Sequence, residues 1–218
     1  MTYFEYKDYP PIPKWLEEHI LKFIEQSLVK PVQIDSEEYR NSLIEKAEKW
    51  INADQAVMDV IDEVDYNEED TLGYHFRDER AYGYTEKLAK FDFIGVDKVI
   101  EDWVYENIPD KVIGVNLQIM FEGEMVTPHT DEVRHYALNY LFDTGGDNVE
   151  TIFYQPLPEY QHLKIYPRTL IPLERIQEAE KVIIEPHRWH RIDVVTVHAV
   201  NHLNPEKKRI SLSLSVLK

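Results

Sequence analysis

From Lys111 onward, the apolar residues of this chain recur at every second position, and this period most limits its fold. Side chains of an extended strand alternate between two faces, so the pattern predicts strands with one apolar and one polar face. The first strand has an apolar face made by Ile113, Val115, Leu117, Ile119 and Phe121. Its other face carries the amides Asn116 and Gln118. We expect the apolar face to meet helices and the amide face to line a pocket.

Further strands and the preceding helices follow from the same kind of pattern. Strands are predicted at 125–131, 135–142, 149–154, 182–184, 189–200 and 209–216, with a turn at 144–148. Helices are predicted from Pro13 to before Lys30, from the N-cap Asp35, over 57–64 and from the N-cap Asp97, and an acidic loop over 65–80. Helices followed by antiparallel strands indicate an α+β chain. At 218 residues we expect a single domain, with 1–110 as a mainly helical support region and 111–218 as the β core.

Composition excludes several classes of function. The chain has no cysteine, which rules out disulfides, zinc–thiolate sites and thiol catalysis. A net charge of −17 argues against tight binding to a nucleic-acid backbone, which requires clustered cations. No apolar run is long enough for a membrane-spanning helix, and the N-terminus lacks the apolar run of a signal peptide. We therefore expect a cytoplasmic protein.

Three side chains are candidate metal ligands. His129 and Asp131 lie two residues apart, so in an extended segment they point the same way. Together with one further imidazole they can bind a single iron(II) ion on one face and leave the remaining positions open. We choose His198 as this third ligand, because it lies in an apolar strand-like run that requires a partner for a polar ring. The alternative third ligand is His202, which lies in a turn, where an imidazole can stay exposed to solvent without a cost in free energy.

Arg209 is a candidate anion-binding residue. It opens a strand in which Arg209 and Ser211 share a serine-rich face, while the opposite face is entirely apolar. The apolar face should be buried, so the serine-rich face should line the pocket. A buried arginine requires an anion, and its planar guanidinium binds a carboxylate through two hydrogen bonds.

These motifs resemble the iron(II)/2-oxoglutarate-dependent dioxygenases, and more closely the small prolyl-hydroxylase-like group with many phage-encoded members. The resemblance runs from about Val112 to the C-terminus through the segments PHTD, HYALNYLF, RIDVVTVHAV and KKRISLSLSV. It implies that His129, Asp131 and His198 bind iron and form the catalytic centre. It also implies that Arg209 pairs with the distal carboxylate of 2-oxoglutarate, assisted by Ser211. With the metal spacing, the best-fitting fold is a double-stranded β-helix, a jelly-roll or cupin-like barrel, with the N-terminal helices packed outside.

The resemblance also implies a reaction. Iron(II), 2-oxoglutarate and O2 would be required, with ascorbate as an optional reductant. The expected chemistry is oxidative decarboxylation of 2-oxoglutarate to succinate, coupled to hydroxylation of a protein side chain (prolyl-like) or a small molecule. The location would be the cytoplasm, or the host cytoplasm if the chain is phage-encoded. Two other hypotheses stay open: a non-catalytic cupin-like protein that binds metal and carboxylate, and a structural or interaction protein with an empty barrel.

Other polar residues give weaker signals. Asn139 is a candidate for contact with the cosubstrate or substrate, whereas Tyr140 is expected to pack. Thr130 or Asp193 would hold the ligands in place. The roles of Arg134, His135, His187 and His190 stay open, with the histidines expected at the surface or behind the ligands. The sequence leaves the hydroxylated substrate and the oligomeric state open.

Overall fold

A computed structural model describes residues 2–29, 70–75, 88–92, 97–121, 126–131, 136–166, 169–204 and 206–216. Contacts divide the chain into two compact units, residues 1–11 with 66–218 and residues 12–65, and each is described by itself. The helices are α1 (Lys14–Val29) and α2 (Lys98–Asn107). The strands are β1 (Phe4–Tyr6), β2 (Tyr74–His75), β3 (Leu88–Asp92), β4 (Val112–Phe121), β5 (Val126–His129), β6 (Tyr136–Thr144), β7 (Glu150–Pro156), β8 (Thr169–Leu170), β9 (Ile176–Ile183), β10 (Trp189–Asp193), β11 (His198–Asn201) and β12 (Lys208–Val216).

The smaller unit is described over helix α1, which confirms the helix predicted after Pro13. Leu16, Ile20 and Ile24 are buried along one face at a spacing of four residues, as expected for an amphipathic helix. Trp15 lies off this face and is 54% exposed. The predicted helices from Asp35 and over 57–64 lie outside the described residues.

The larger unit contains two six-stranded sheets. We call them sheet 1, with the order β1-β10-β6-β12-β4-β3, and sheet 2, with the order β2-β8-β5-β11-β7-β9. Strands β4 to β7 alternate between the sheets, and β10 to β12 alternate again. Their neighbours pair antiparallel throughout. This interleaved order is a double-stranded β-helix, so the predicted fold class is confirmed.

The inner faces of the two sheets meet inside the barrel. Ala137 and Ile192 of sheet 1 pack against Phe153 of sheet 2. In a second cluster, Met120 of sheet 1 packs against a group that includes Val200 of sheet 2. Because Met120 lies on the same side of β4 as the amides Asn116 and Gln118, these amides face inward, as predicted.

Helix α2 lies on the outer face of sheet 1. Its N-cap is Asp97, whose carboxylate accepts hydrogen bonds from the N–H groups of Val99 and Ile100 at 3.1 and 3.2 Å, as the sequence predicts. Trp103 of the helix stacks on Trp189, with ring centroids 6.5 Å apart. Tyr140 packs against the same indole and is buried, which agrees with its predicted packing role.

The predicted strand over 189–200 is wrong in one respect, because it is broken into β10 and β11 in different sheets. The carboxylate of Asp193 accepts a hydrogen bond from the N–H of Val195 at 3.2 Å, which stabilises a bend between the two strands. The chain therefore passes from sheet 1 to sheet 2 within the segment that the sequence predicts as one strand.

Several strands have no counterpart in the predictions. Strands β1, β2, β3 and β8 were missed, and β9 begins at Ile176 rather than at residue 182. Strand β9 lies at the edge of sheet 2 and is exposed over most of its length. Its sequence therefore lacks the alternation of apolar and polar residues that marks a half-buried strand. None of the described helices is long and apolar enough to cross a membrane.

Candidate metal centre and anion pocket

The three predicted metal ligands meet where β5 and β11 pair. His129 is the last residue of β5 and His198 the first of β11, and the two are direct cross-strand partners. Asp131 follows two residues later, and its backbone N–H donates to the carbonyl of Val194 at 3.0 Å. The bend after Asp193 therefore holds Asp131 beside the two histidines.

The ligand atoms of these residues lie within 4.8 Å of one another. Nε2 of His129 lies 3.5 Å from Oδ1 of Asp131, and the two imidazole centroids are 4.4 Å apart. His129 and His198 are only 7% and 6% exposed. Two imidazoles and one carboxylate at these separations could hold a single divalent ion and leave its other positions open.

Backbone contacts orient this group. Nδ1 of His198 lies 2.9 Å from the carbonyl of Thr196, so Nδ1 carries the hydrogen and Nε2 is the nitrogen that could bind an ion. The Thr130 hydroxyl donates to the carbonyl of Tyr166 at 2.7 Å and accepts from the N–H of Thr169 at 3.1 Å. Thr130 thus fastens the loop between the first two ligands to the segment before β8. The Thr196 carbonyl was not identified from the sequence.

Arg209 is buried on the inner face of sheet 1. Its cross-strand partner on β4 is Met120, which packs against a cluster that contains Val200, two residues beyond the ligand His198. Since partners in a sheet point to the same side, the arginine enters the same interior as the metal ligands. The side chain is 6% exposed, and this orientation is the one expected from the serine-rich face.

The guanidinium of Arg209 has one hydrogen bond among the described residues, from Nη1 to the carbonyl of Thr144 at 3.2 Å. Burial lowers its pKa from 12.5 to about 10, so the group stays cationic at neutral pH. No described carboxylate forms an ion pair with it. A buried and unneutralised cation with free donors is suited to bind an anionic ligand.

Two other predicted residues lie on the same inner face. Ser211 is 6% exposed and pairs with Gln118 on β4. Asn139 is half-buried and lies between two cross-strand partners, Ser213 and His190. The interior between Arg209 and the metal ligands is therefore lined by amides, hydroxyls and one imidazole.

That imidazole belongs to His190, which the sequence placed either at the surface or behind the metal ligands, with its role left open. It is 1% exposed and faces into the barrel, so the surface position is wrong. Burial, with a further contribution from the charge of Arg209, lowers its pKa from 6.5 to about 3. The alternation of Trp189, His190, Arg191 and Ile192 is the signal that could have placed it inward.

The remaining histidine and arginine candidates fall outside this interior or outside the description. His187 is exposed and adopts a positive φ of 58° in the turn before β10. Arg134 and His135 lie outside the described residues.

Comparisons with known proteins give structural neighbours only. No family model matches the chain, and no curated protein matches it. An oxidoreductase of the 2OG-Fe(II) oxygenase family from Burkholderia pseudomallei is 10% identical, with a TM-score of 0.31, over 49% of this chain and 46% of its own. The ribosomal oxygenase YcfD from Escherichia coli, in complex with cobalt and 2-oxoglutarate, is 15% identical, with a TM-score of 0.28, over 56% of this chain and 28% of its own.

A cupin superfamily protein from Desulfitobacterium hafniense is 8% identical, with a TM-score of 0.32, over 62% of this chain and 81% of its own. This chain thus spans less than half the length of the two oxygenases. Because these TM-scores are low, the fold is assigned from the strand order and register rather than from the neighbours.

Proposed function

We propose that this protein is an iron(II)- and 2-oxoglutarate-dependent oxygenase. One observation carries the proposal: a group of two histidines and one aspartate shares a barrel interior with a buried guanidinium that has no described carboxylate partner. A metal site and a separate cationic site are what a chelating dicarboxylate requires, since its two ends need different partners.

The donor set fits iron(II). Imidazole nitrogens suit iron and the carboxylate is a hard anionic donor, while the absence of cysteine leaves no thiolate to favour a softer metal. His129, Asp131 and His198 would hold the ion. When bound, iron(II) would supply the redox chemistry by which 2-oxoglutarate and O2 become succinate and CO2, while one oxygen atom enters a C–H bond of the acceptor.

The protein's own residues would bind and orient the cosubstrate. Arg209 would receive the distal carboxylate through two N–H donors, and the Ser211 hydroxyl would donate to the same group. Asn139 lies one strand away, where its amide can contact cosubstrate or substrate. Apolar side chains of both sheets, Phe153 and Ile192 in one cluster and Met120 and Val200 in another, would limit the access of water to the bound cosubstrate.

For the acceptor, we propose a protein side chain, prolyl-like, or a small molecule, as the sequence resemblance implies. The same resemblance motivates placing the protein near the small phage-encoded prolyl-hydroxylase-like group and in the cytoplasm. Mass spectrometry of peptides and metabolites for the gain of one oxygen atom identifies the acceptor.

The test of the activity is conversion of 2-oxoglutarate to succinate by purified protein with iron(II) and ascorbate. We expect slow turnover without an acceptor, and a loss of about a hundredfold or more in His129→Ala and Asp131→Ala, because each removes a metal ligand. The exposed histidine variant His162→Gln is the matched control and should retain wild-type turnover. Unchanged turnover in both ligand variants would refute the metal assignment.

Arg209→Met tests the anion pocket in the same assay. Its affinity for 2-oxoglutarate should fall about a hundredfold, since a buried charge-assisted pair is lost, while iron(II) binding should persist. Arg209→Lys should recover part of this loss, because lysine retains the charge without the planar pair of donors.

Two other functions predict different results. A non-catalytic cupin-like protein would bind metal and 2-oxoglutarate without O2-dependent turnover. A structural protein with an empty barrel would bind no stoichiometric metal, and changing Arg209 would leave ligand binding unaffected. Anaerobic measurement of iron(II) content, followed by a search for a visible charge-transfer band on addition of 2-oxoglutarate, separates these cases.

A further inference from the structure

A row of four polar side chains crosses the inner face of sheet 1. Ser213 on β12 pairs with Asn116 of β4 on one side and with Asn139 of β6 on the other, and Asn139 pairs in turn with His190 of β10. Cross-strand partners point to the same side of a sheet, so the four side chains form one line. Asn116, Ser213 and His190 are 8%, 1% and 1% exposed. We call Asn116, Ser213, Asn139 and His190 the polar row.

The polar row is separate from the anion pocket around Arg209. Ser213 lies four residues beyond Arg209 on β12, which corresponds to about 13 Å along an extended strand. The guanidinium of Arg209 bonds to the carbonyl of Thr144 and has no printed contact with the row. A carboxylate bound by Arg209 therefore leaves the polar row to a different ligand group.

Strand pairing in sheet 2 places the metal ligands close to the level of the polar row. The ligand His198 pairs with Phe153 of β7. Phe153 forms one apolar cluster with Ala137 and Ile192 of sheet 1. These two residues lie on β6 and β10, each two positions from the row and on the same side of it. The row is therefore next to the part of sheet 1 that faces the strands of the metal ligands.

The side chains of the polar row have a single hydrogen bond among the described residues. Nδ1 of His190 lies 3.3 Å from the carbonyl of Arg188, which can only accept, so Nδ1 carries the hydrogen and Nε2 presents a lone pair. No described group bonds to Nε2 or to the side chains of Asn116, Ser213 and Asn139. Because buried polar groups are hydrogen-bonded as a rule, the row is suited to a ligand that supplies these bonds.

The chemistry of the polar row favours an uncharged ligand. Its two carboxamides and its hydroxyl can donate and accept, whereas Nε2 of His190 can only accept. The imidazole is neutral at pH 7, because burial lowers its pKa to about 3. A carboxylate has no hydrogen to donate to Nε2, and the row contains no cation to pair with it. A peptide group supplies both a carbonyl for the carboxamides and an N–H for the imidazole.

The length of the polar row favours a peptide segment over a small amide. Adjacent strands lie about 4.8 Å apart, so a row across four strands spans about 14 Å. An extended chain advances about 3.3 Å per residue, so this span corresponds to about four residues. A single carboxamide is too short to bond with all four side chains.

We infer that the polar row binds the acceptor and recognises uncharged peptide groups: an N–H of the acceptor donates to Nε2 of His190, and its carbonyls accept from the amides of Asn116 and Asn139. This inference rests on the proposed oxygenase function and adds the chemical class of the acceptor. It makes these three residues determinants of acceptor affinity, whereas Arg209 determines the affinity for 2-oxoglutarate.

The experiment measures the binding of three probes to protein loaded with manganese(II) and 2-oxoglutarate under nitrogen. The probes are N-acetylalanine methylamide, the acid N-acetylalanine, and acetamide. Manganese(II) broadens the proton resonances of a ligand that binds near it, so NMR titration reports both the affinity and the proximity to the metal. Zinc(II) in place of manganese(II) is the diamagnetic control. The methylamide should bind to wild type about tenfold more tightly than the acid or acetamide.

Variants of the polar row test its role. His190→Phe keeps a flat ring without an accepting nitrogen, and Asn116→Leu keeps a similar shape without the amide. Each should weaken binding of the methylamide about tenfold. Ser213→Ala is the smallest change, should weaken binding about threefold, and tests the row if a larger substitution fails to fold. The exposed control His162→Gln should match wild type. Metal content and thermal unfolding, measured for each variant, identify folded and loaded protein.

The outcomes are distinguishable. Equal binding of the methylamide and the acid by wild type, or wild-type affinity for the methylamide in all three row variants, would overturn the inference and leave the oxygenase proposal standing. Acetamide binding as tightly as the methylamide would overturn the assignment of a peptide segment.

The affinity for 2-oxoglutarate, measured on the same samples, provides the remaining check. A loss of this affinity in His190→Phe and Asn116→Leu as large as the loss for the methylamide would assign the polar row to the cosubstrate and overturn the inference. Failure of wild-type protein to bind 2-oxoglutarate at all would overturn the oxygenase proposal as well.

Discussion

At the scale of single residues, the barrel interior holds two basic groups that burial affects in the same direction. The pKa of Arg209 falls to about 10 and that of His190 to about 3. Only the first keeps its charge at neutral pH, because its ordinary pKa is much higher. At neutral pH the barrel interior therefore holds one buried cation, Arg209, and one neutral imidazole, His190.

The low pKa of His190 predicts how stability depends on pH in the metal-free protein. The folded pKa is about 3 and the unfolded value is 6.5, so between these values the unfolded chain binds more protons. Stability should therefore decrease as pH falls from about 6.5 toward 3, by at most about 1.4 kcal/mol per pH unit from this residue.

Chemical denaturation of wild type and His190→Phe at pH 7, 6 and 5 measures this effect. The difference in unfolding free energy between the two proteins should shift in favour of the variant as pH decreases. A difference that stays constant over this range would show that the buried imidazole does not resist protonation.

At the scale of elements, the turn between β6 and β7 supports the anion pocket. Gly145 has a φ of +78°, and a Cβ there would lie 2.9 Å from Cβ of Arg209 and from Cδ2 of Leu203. Its carbonyl accepts a hydrogen bond from the N–H of Asn204 at 2.8 Å, which joins this turn to the loop before β12. A glycine is required here both for the backbone conformation and for the close approach of Arg209.

We expect Gly145→Ala to destabilise the protein by about 1–3 kcal/mol, through backbone strain and the clash with Arg209. Affinity for 2-oxoglutarate should fall as well, because Arg209 must shift. Asn148→Ala, at an exposed position of the same turn, is the control and should change neither property. Denaturation midpoints and ligand titration measure both effects, and wild-type behaviour of Gly145→Ala would contradict the close packing.

Also at the scale of elements, the strands and the helix that were predicted well from the sequence are those whose own residues carry a recognisable pattern. Strands β4, β6 and β12 and helix α2 agree with prediction to within a few residues, since alternation or an N-cap marks them. Strands β1 and β3 lie at the edges of sheet 1, and β2 at an edge of sheet 2. They are short and form through pairing with distant strands, which leaves little pattern in the sequence.

At the scale of the whole molecule, the metal centre links parts of the barrel that are distant in the chain. His129 and Asp131 follow β5, whereas His198 begins β11, and the bend at Val194 holds Asp131 in place. An ion bound to all three requires the folded barrel, so its binding energy adds to the stability of the folded state.

Manganese(II) or anaerobic iron(II) should therefore raise the melting temperature of the wild-type protein. At a free metal concentration a thousandfold above the Kd, the stabilisation should be about 4 kcal/mol, and 2-oxoglutarate should increase it further. Differential scanning calorimetry of wild type, His129→Ala and His162→Gln tests this. Equal stabilisation of the His129→Ala variant would place the ion elsewhere.

The sequence by itself determined the β character of the second half, the inward faces of β4 and β12 and the residue types able to bind a metal and an anion. These follow from local rules, because the alternation of side chains and the chemistry of imidazole, carboxylate and guanidinium require no distant contact. The tertiary structure alone decided that β11 pairs with β5, that the run over 189–200 changes sheet, and that His190 is buried on the inner face of sheet 1. Those relations depend on the packing of strands far apart in the chain, for which neighbouring residues carry no signal.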